Sequence, residues 1–268
     1  MTQHLSLDNP FRQQLAQGNV PFGTWLMSGT SSTAEAMGHA GFDWLLVDLE
    51  HVPMDEKDVL HILQAIAGTR ASPVVRLASS DLVRVKKALD MGAQTLMHPF
   101  VNTPDEARQV IAYSKYPPEG IRGFAAMHRA SAYGTVNNYG GRANGGVFNI
   151  IQLETPEAVS NLEAIAEVPG VDALFLGPGD LSAAMGHIGN IAHPEVHAVI
   201  TDVAARCKRL GKPCGIVGPT PDSVNGFIKL GYDFVAIASD MGMMVRQANA
   251  FIEAVKPHLA KGYSSTVY

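Results

Sequence analysis

Two acidic residues stand where apolar runs end: Glu154 in Ile150-Ile-Gln-Leu-Glu-Thr155 and Asp180 in Leu174-Phe-Leu-Gly-Pro-Gly-Asp180. Runs of this kind read as strands buried on both faces, and in a parallel barrel all such strands point their C-terminal ends at one side of the molecule. Two carboxylates brought to one cavity offer hard oxygen donors. That set suits Mg²⁺ or Mn²⁺, ions that keep coordination positions for water or an oxygen-rich substrate. Glu154 and Asp180 are therefore the candidate metal ligands.

The neighbouring strand ends are polar too. Asp48 and His51 lie three apart in Val47-Asp-Leu-Glu-His51. A carboxylate hydrogen-bonded to one imidazole nitrogen fixes the tautomer and raises the basicity of the ring, which would make His51 a general acid or base. The structural reading of the same residues is a histidine capping the loop, with Asp48 or Glu50 capping a helix. Arg76 closes Pro73-Val-Val-Arg76, where a buried guanidinium is costly unless an anion meets it. It is assigned to substrate charge, a role compatible with a salt bridge to Glu50 or Asp48. Gln152 precedes Glu154 by two, so both side chains share one side of a strand, and Gln152 becomes a hydrogen-bond partner for substrate or water. Gly177-Pro-Gly-Asp180 reads as a turn whose amides cradle a small anion, with Gly179 permitting close approach. The same tetrapeptide is also an ordinary turn.

Eight short runs are needed to position these groups, and eight are found: Gly23–Met27, Trp44–Asp48, Pro73–Arg76, Thr95–His98, Val147–Gln152, Ala173–Leu176, Cys214–Val217 and Phe234–Ala238. Between them, apolar residues recur at spacings of three and four, as in Val59-Leu60, Leu63 and Ile66-Ala67, the pattern of helices packed on a sheet. Strand–helix alternation along 268 residues predicts a single α/β domain over 1–268, a (β/α)8 TIM barrel, with an open doubly wound sheet as the alternative. Thr103-Pro-Asp-Glu106 and Thr155-Pro-Glu-Ala158 combine a capping hydroxyl with proline at the first helical position. Gly41, Gly92 and Gly231 mark helix ends that turn left-handed before a strand. A long irregular excursion at 115–146 breaks the rhythm and reads as a lid or a subunit contact. A last helix is expected at 240–258, followed by a mobile tail from Lys261.

Composition narrows the function. A hydrophobic share of 46% with 17% charged residues supports a packed core, and a net charge of −5 with scattered Lys and Arg offers no field for nucleic acid. The first ten residues lack a signal-like pattern and no stretch reaches the roughly 20 apolar residues of a membrane span, so a soluble, cytoplasmic protein without a membrane partner is expected. Cys207 and Cys214 read as buried thiols. None of the nine lysines falls in a predicted strand, which disfavours imine chemistry. No Gly-x-Gly-x-x-Gly follows the first strand, so a dinucleotide is not the expected ligand.

Taken together, Gly41-Phe-Asp-Trp-Leu-Leu-Val-Asp-Leu-Glu-His51, Pro73-Val-Val-Arg76, Tyr116-Pro-Pro-Glu-Gly-Ile-Arg-Gly123, Gln152-Leu-Glu154 and Gly177-Pro-Gly-Asp-Leu-Ser182 closely resemble the HpcH/HpaI aldolases over about residues 20–256. The resemblance implies a barrel that binds Mg²⁺, Mn²⁺ or a similar ion such as Co²⁺ and reversibly joins pyruvate to an aldehyde, giving a 4-hydroxy-2-oxo acid. It implies Glu154 and Asp180 as metal ligands, Arg76 as the residue that stabilises enolate charge, and His51 with Asp48 as the acid–base dyad. Gln152 would orient water or substrate, and the amides of Gly179 and Asp180 would hold the pyruvate carboxylate. A homohexamer, a trimer of dimers that exchange a C-terminal helix, is the implied assembly. Met97-His98-Pro99-Phe100 departs from the family pattern, leaving His98 either touching the acceptor aldehyde or filling the strand end, and hydroxypyruvate is a close substitute for pyruvate. The rival readings are a C–C lyase of the citrate-lyase or malyl-CoA type, which needs a CoA surface, and a non-catalytic barrel that binds a metal and an oxo acid.

Overall fold

The structure, a computed structural model, describes residues 7–256. The chain runs α1 (Pro10–Ala16), β1 (Phe22–Leu26), α2 (Ser31–His39), β2 (Trp44–Asp48), α3 (Glu56–Ile66), β3 (Ser72–Arg76), α4 (Leu82–Asp90) and β4 (Thr95–His98). It continues through α5 (Pro104–Ser114), a 3-10 turn at Arg129–Ser131, α6 (Tyr139–Gly146), β5 (Phe148–Leu153), α7 (Pro156–Ser160), α8 (Leu162–Ala166) and β6 (Ala173–Leu176). The last third holds α9 (Pro178–Ala184), α10 (Pro194–Leu210), β7 (Cys214–Gly218), α11 (Pro221–Leu230), β8 (Phe234–Ser239) and α12 (Asp240–Val255). The strands pair in sequence order, all parallel, and β8 returns to β1, so the sheet closes into a barrel. Each predicted strand agrees with an observed one to within a residue at either end. The tail from Lys261 lies outside the described residues.

Alternation along the strands divides the core in two. Side chains of one parity fill the lumen: Trp25, Leu46, Val74, Met97, Ile150, Phe175 and Ala236 form one cluster. Those of the other parity, such as Leu45, Val75, Ile151 and Leu174, pack under the helices. The N-terminal end of the lumen is plugged by Phe11 of α1, whose ring meets Trp44, Phe148 and Phe234 edge-on at 5.8, 5.5 and 5.2 Å. With that end sealed by aromatic rings, only the C-terminal end can admit a ligand.

The helix joints follow the expected chemistry. Thr103 and Glu106 form a reciprocal capping box at the start of α5, and Thr155 Oγ1 accepts from the Ala158 amide at the start of α7. Gly41, Gly92 and Gly231 all have φ near +100°, a region closed to most side chains. The excursion at 115–146 is pinned at its base. Arg122, fully buried, donates to Asp90 at 2.7 Å and lies over the Tyr116 ring at 4.3 Å, while Arg129 donates to the Met91 carbonyl. Its far side exposes Phe124, Met127 and Tyr133. Cys207 and Cys214 are free, buried thiols. Among the described residues, no helix is long and apolar enough to cross a membrane.

His98 falls on the outward parity of β4, since Met97 fills the lumen. Its ring lies between Ser80 Oγ and Asn149 Oδ1, each at 3.0 Å, under complete burial. The residue fills the strand end and takes no part in the barrel mouth. Burial pushes its pKa down to about 4 against a raising contribution from Asn149. An unfolded chain takes up that proton near pH 6.5, so between about pH 6.5 and 4 the unfolded state holds more protons. Stability contributed by the neutral ring is therefore complete above that window and falls with pH, by about 3 kcal/mol at its lower edge. His98→Gln should reduce the loss of urea stability between pH 7 and pH 4.5 by about 2 kcal/mol; an unchanged loss would refute a buried neutral ring.

Candidate active site

The lumen parity that carries Leu46, Val74 and Ile150 also carries the next residues on each strand, Asp48, Arg76 and Gln152, and then Glu154 just beyond β5. All four are buried. Asp48 grips Arg76 through two hydrogen bonds, from Nε to Oδ1 at 3.0 Å and from Nη2 to Oδ2 at 2.6 Å, the bidentate geometry that guanidinium and carboxylate favour. Cross-strand register sets the pair, because Asp48 and Arg76 are direct partners between β2 and β3. Glu50 completes the cage: its Oε2 lies 2.9 Å from Arg76 Nη1, close enough for an ion pair but off the N–H direction, so it accepts no aligned hydrogen bond. Opposite, Glu154 accepts from the Phe100 amide at 3.1 Å and from Gln152 Nε2 at 2.6 Å. Asp180 occupies the first turn of α9.

Electrostatics tie these groups into one site. Glu154 has its pKa pushed up to about 8, first by burial, then by the charges of Glu50 and Asp180, against lowering by the Phe100 amide and Arg76. Glu50 is also raised, mainly by burial, with Asp48 and Asp180 adding to it and Arg76 and His51 opposing. Three carboxyl groups, Asp48, Glu50 and Glu154, thus share one guanidinium, and Asp180 adds its charge to Glu50 and Glu154. Gln152 Oε1 is in addition a buried acceptor with no hydrogen-bond partner. A hard divalent cation fits this donor set, since it would favour the ionised form of a glutamate that burial otherwise drives toward its neutral acid.

The predicted residues converge with one correction. Glu154, Gln152, Arg76, Asp48 and Asp180 come together at the barrel mouth, but Asp48 does not pair with the His51 ring. Its carboxylate is taken by Arg76 and by the amides of Glu50 and His51, at 3.0 and 3.4 Å. The His51 ring projects to solvent, its Nε2 3.9 Å from Glu50 Oε2. The more buried, permanently charged partner wins the carboxylate. Glu50, expected only as a salt-bridge partner of Arg76 or a helix cap, joins the site itself; its spacing of two from Asp48 matches that of Gln152 and Glu154. The Phe100 amide left no sequence signal; its residue sits at φ +50°.

Gly177 lies directly against the Glu154 side chain: a methyl group on it would meet Glu154 Cγ and Oε1 at 2.7 Å and Gln152 Nε2 at 3.2 Å, whereas one on Gly179 would touch no protein atom, which leaves Gly179 open on that side. Among the described residues no lysine lies on a strand, so none reaches the lumen from one.

A closed parallel barrel with an acidic mouth is the fold and site of an enzyme, and comparison with known proteins gives its class. The description HpcH/HpaI aldolase/citrate lyase matches residues 21–247. A 2-dehydro-3,6-dideoxy-6-sulfogluconate aldolase of Pseudomonas putida is 55% identical over 254 residues, covering 95% of this chain and all of the relative. A 5-keto-4-deoxy-D-glucarate aldolase of Salmonella arizonae is 43% identical over 88% of this chain and 92% of its own length. Among solved structures, an HpcH/HpaI aldolase/citrate lyase family protein from Burkholderia cenocepacia superposes with a TM-score of 0.90 at 39% identity, covering 92% of this chain and 99% of that one. The chain belongs to the HpcH/HpaI aldolase/citrate lyase family. It is a carbon–carbon lyase.

Gly177→Ala should cut turnover by about 10- to 100-fold by displacing the Glu154 carboxylate, while Gly179→Ala, with room for its methyl, keeps activity within about twofold. Steady-state kinetics on both variants check this; equal effects would mean that the Glu154 carboxylate does not depend on the space above Gly177.

Proposed function

We propose that this enzyme is a metal-dependent aldolase that reversibly cleaves a 4-hydroxy-2-oxo acid into pyruvate, or a close 2-oxo acid such as hydroxypyruvate, and an aldehyde. The observation that carries the reading is the buried Glu154 carboxyl, held near a pKa of about 8 beside Glu50 and Asp180. Glu154 and Asp180 would hold the ion, Mg²⁺, Mn²⁺ or a similar one such as Co²⁺, which when bound supplies Lewis-acid polarisation of the 2-oxo acid's oxygens.

The chain's own residues account for the rest. Arg76, clamped by Asp48, offers a fixed positive charge to the oxygen at C2 as it becomes negative; because the clamp is bidentate, little reorganisation is needed when that charge develops. The amides of Gly179 and Asp180, at the start of α9 where helical partners are missing, suit the substrate carboxylate. Gln152 Oε1 is free to accept from a hydroxyl or water. His51, exposed at the rim, is suited to remove the proton of the C4 hydroxyl as the C3–C4 bond breaks and to return it in synthesis. The bond's electrons go to the 2-oxo acid fragment, which gains a proton at C3 to become pyruvate.

The names of the two relatives' substrates support this class. Each describes a 2-oxo acid with a deoxy carbon next to the ketone and a second acidic group at the far end, a sulfonate in one and a carboxylate in the other. We therefore favour an aldehyde fragment that carries an anion. Exposed apolar residues along α12, Met244, Phe251, Ile252 and Val255, favour a homohexamer built as a trimer of dimers through that helix.

In a panel of 4-hydroxy-2-oxo acids, with and without a distal anion, pyruvate release should require a divalent ion and stop on chelation. Glu154→Gln should lower it at least about a hundredfold while the melting temperature holds; turnover surviving chelation would overturn the assignment. Light scattering should give six times the 28.6 kDa chain mass, falling when residues 240–268 are deleted; a native monomer would rule the assembly out.

A further inference from the structure

On the same side of the barrel as the mouth, the loop between α9 and α10 gathers a second group of ligating side chains. His187, His193 and Glu195 each bring one donor atom within 4.8 Å of the other two. We propose that these three residues form a separate binding site for a borderline transition-metal ion of the zinc class, which clips the α9–α10 loop to the start of α10. The proposal goes beyond the aldolase reading and does not depend on it.

The loop is already built to hold the three residues in place. Gly186 and Gly189 supply left-handed turns at φ +83° and +74°. The His187 amide donates to the Ser182 carbonyl at 2.7 Å, the Asn190 amide to the His187 carbonyl at 2.9 Å, and the His193 amide to the Asn190 carbonyl at 3.1 Å. His193 is then the N-cap of α10, and Glu195 lies in its first turn. Both histidines are therefore anchored by backbone bonds on a segment that has no regular structure of its own.

Side-chain geometry is close to that of a loaded site. His187 Nε2 and Glu195 Oε2 are 2.8 Å apart, slightly less than the roughly 3.3 Å between two ligand atoms on a tetrahedral zinc ion. The two imidazoles lie stacked at 3.5 Å and 16°, so their lone pairs run side by side and do not yet converge. Only His193 has to turn. Its other contact, accepting from the Glu195 amide, is a long 3.4 Å, so little is lost when the ring leaves the stack.

Two imidazoles and one carboxylate form a mixed nitrogen–oxygen set, which ranks zinc, cobalt and nickel above magnesium. The barrel mouth offers oxygen ligands, which suit magnesium, so saturating Mg²⁺ occupies that site while leaving the loop site to a softer ion. The clip would tie down the segment that follows α9, whose first turn carries Asp180, without touching reacting atoms.

Zinc binding to the full chain, measured by equilibrium dialysis under saturating Mg²⁺, tests the idea. One zinc ion per chain is expected for the native protein and for Glu154→Gln. Glu195→Gln, at an exposed position, and His193→Gln should each weaken binding at least about tenfold, with turnover in Mg²⁺ unchanged. Cobalt in place of zinc should give the visible absorption of a four-coordinate site, lost in His193→Gln. Zinc binding that is indifferent to both loop substitutions, or lost only in Glu154→Gln, would overturn the proposal. Failure of Glu154→Gln to affect turnover would count against the aldolase assignment alone.

Discussion

A single guanidinium, Arg76, is the one positive charge among the carboxyl groups of Asp48, Glu50 and Glu154, and the barrel mouth is arranged around it. Arg76 can satisfy Asp48 fully and Glu50 in part, and what it leaves is the buried Glu154 carboxyl beside the half-buried Asp180. Water would ordinarily screen such a charge, but the lumen beneath is packed with Leu46, Val74, Met97, Ile150 and Phe175. With little solvent, desolvation drives Glu154 toward its neutral acid. A divalent cation would relieve that tension better than a proton, because it could serve several oxygens together.

The barrel makes the constraint directional. Phe11 and the aromatic rings around it close the N-terminal end of the lumen, and parallel strands send every C-terminal end to the opposite side. Lumen parity then dictates which residues take part: Asp48 follows Leu46, Arg76 follows Val74, Gln152 follows Ile150. His98 is excluded by the same rule, one residue out of phase, and its imidazole is consumed by Ser80 and Asn149. Adjacent positions on one strand can therefore have unrelated fates.

Much of this was legible beforehand because it depends on local signals. The eight apolar runs, the capping threonines before α5 and α7 and the left-handed glycines are short-range patterns, and the strands they bound fall within a residue of the observed ones. Carboxylates at strand ends were legible for the same reason. The expected Asp48–His51 pair does not form because proximity in sequence is not proximity of side chains. Three residues after a strand end the chain has already turned outward, and His51 follows it into solvent. The role of Gly177, set by the thickness of the Glu154 side chain passing over it, belongs to the same category.

The amino-acid sequence by itself determined the class of fold, the strand ends and the inventory of charged groups at one face, since hydrophobic periodicity and turn chemistry act within a few residues. Tertiary structure alone decided the partners. Cross-strand register between β2 and β3 gave Asp48 to Arg76, the Phe100 amide was delivered to Glu154 by a backbone turn with no sequence signal, and the α9–α10 loop brought His187 against His193 and Glu195. Each of these pairings depends on where separate segments meet in space. That outcome rests on packing the whole barrel, which no local pattern encodes.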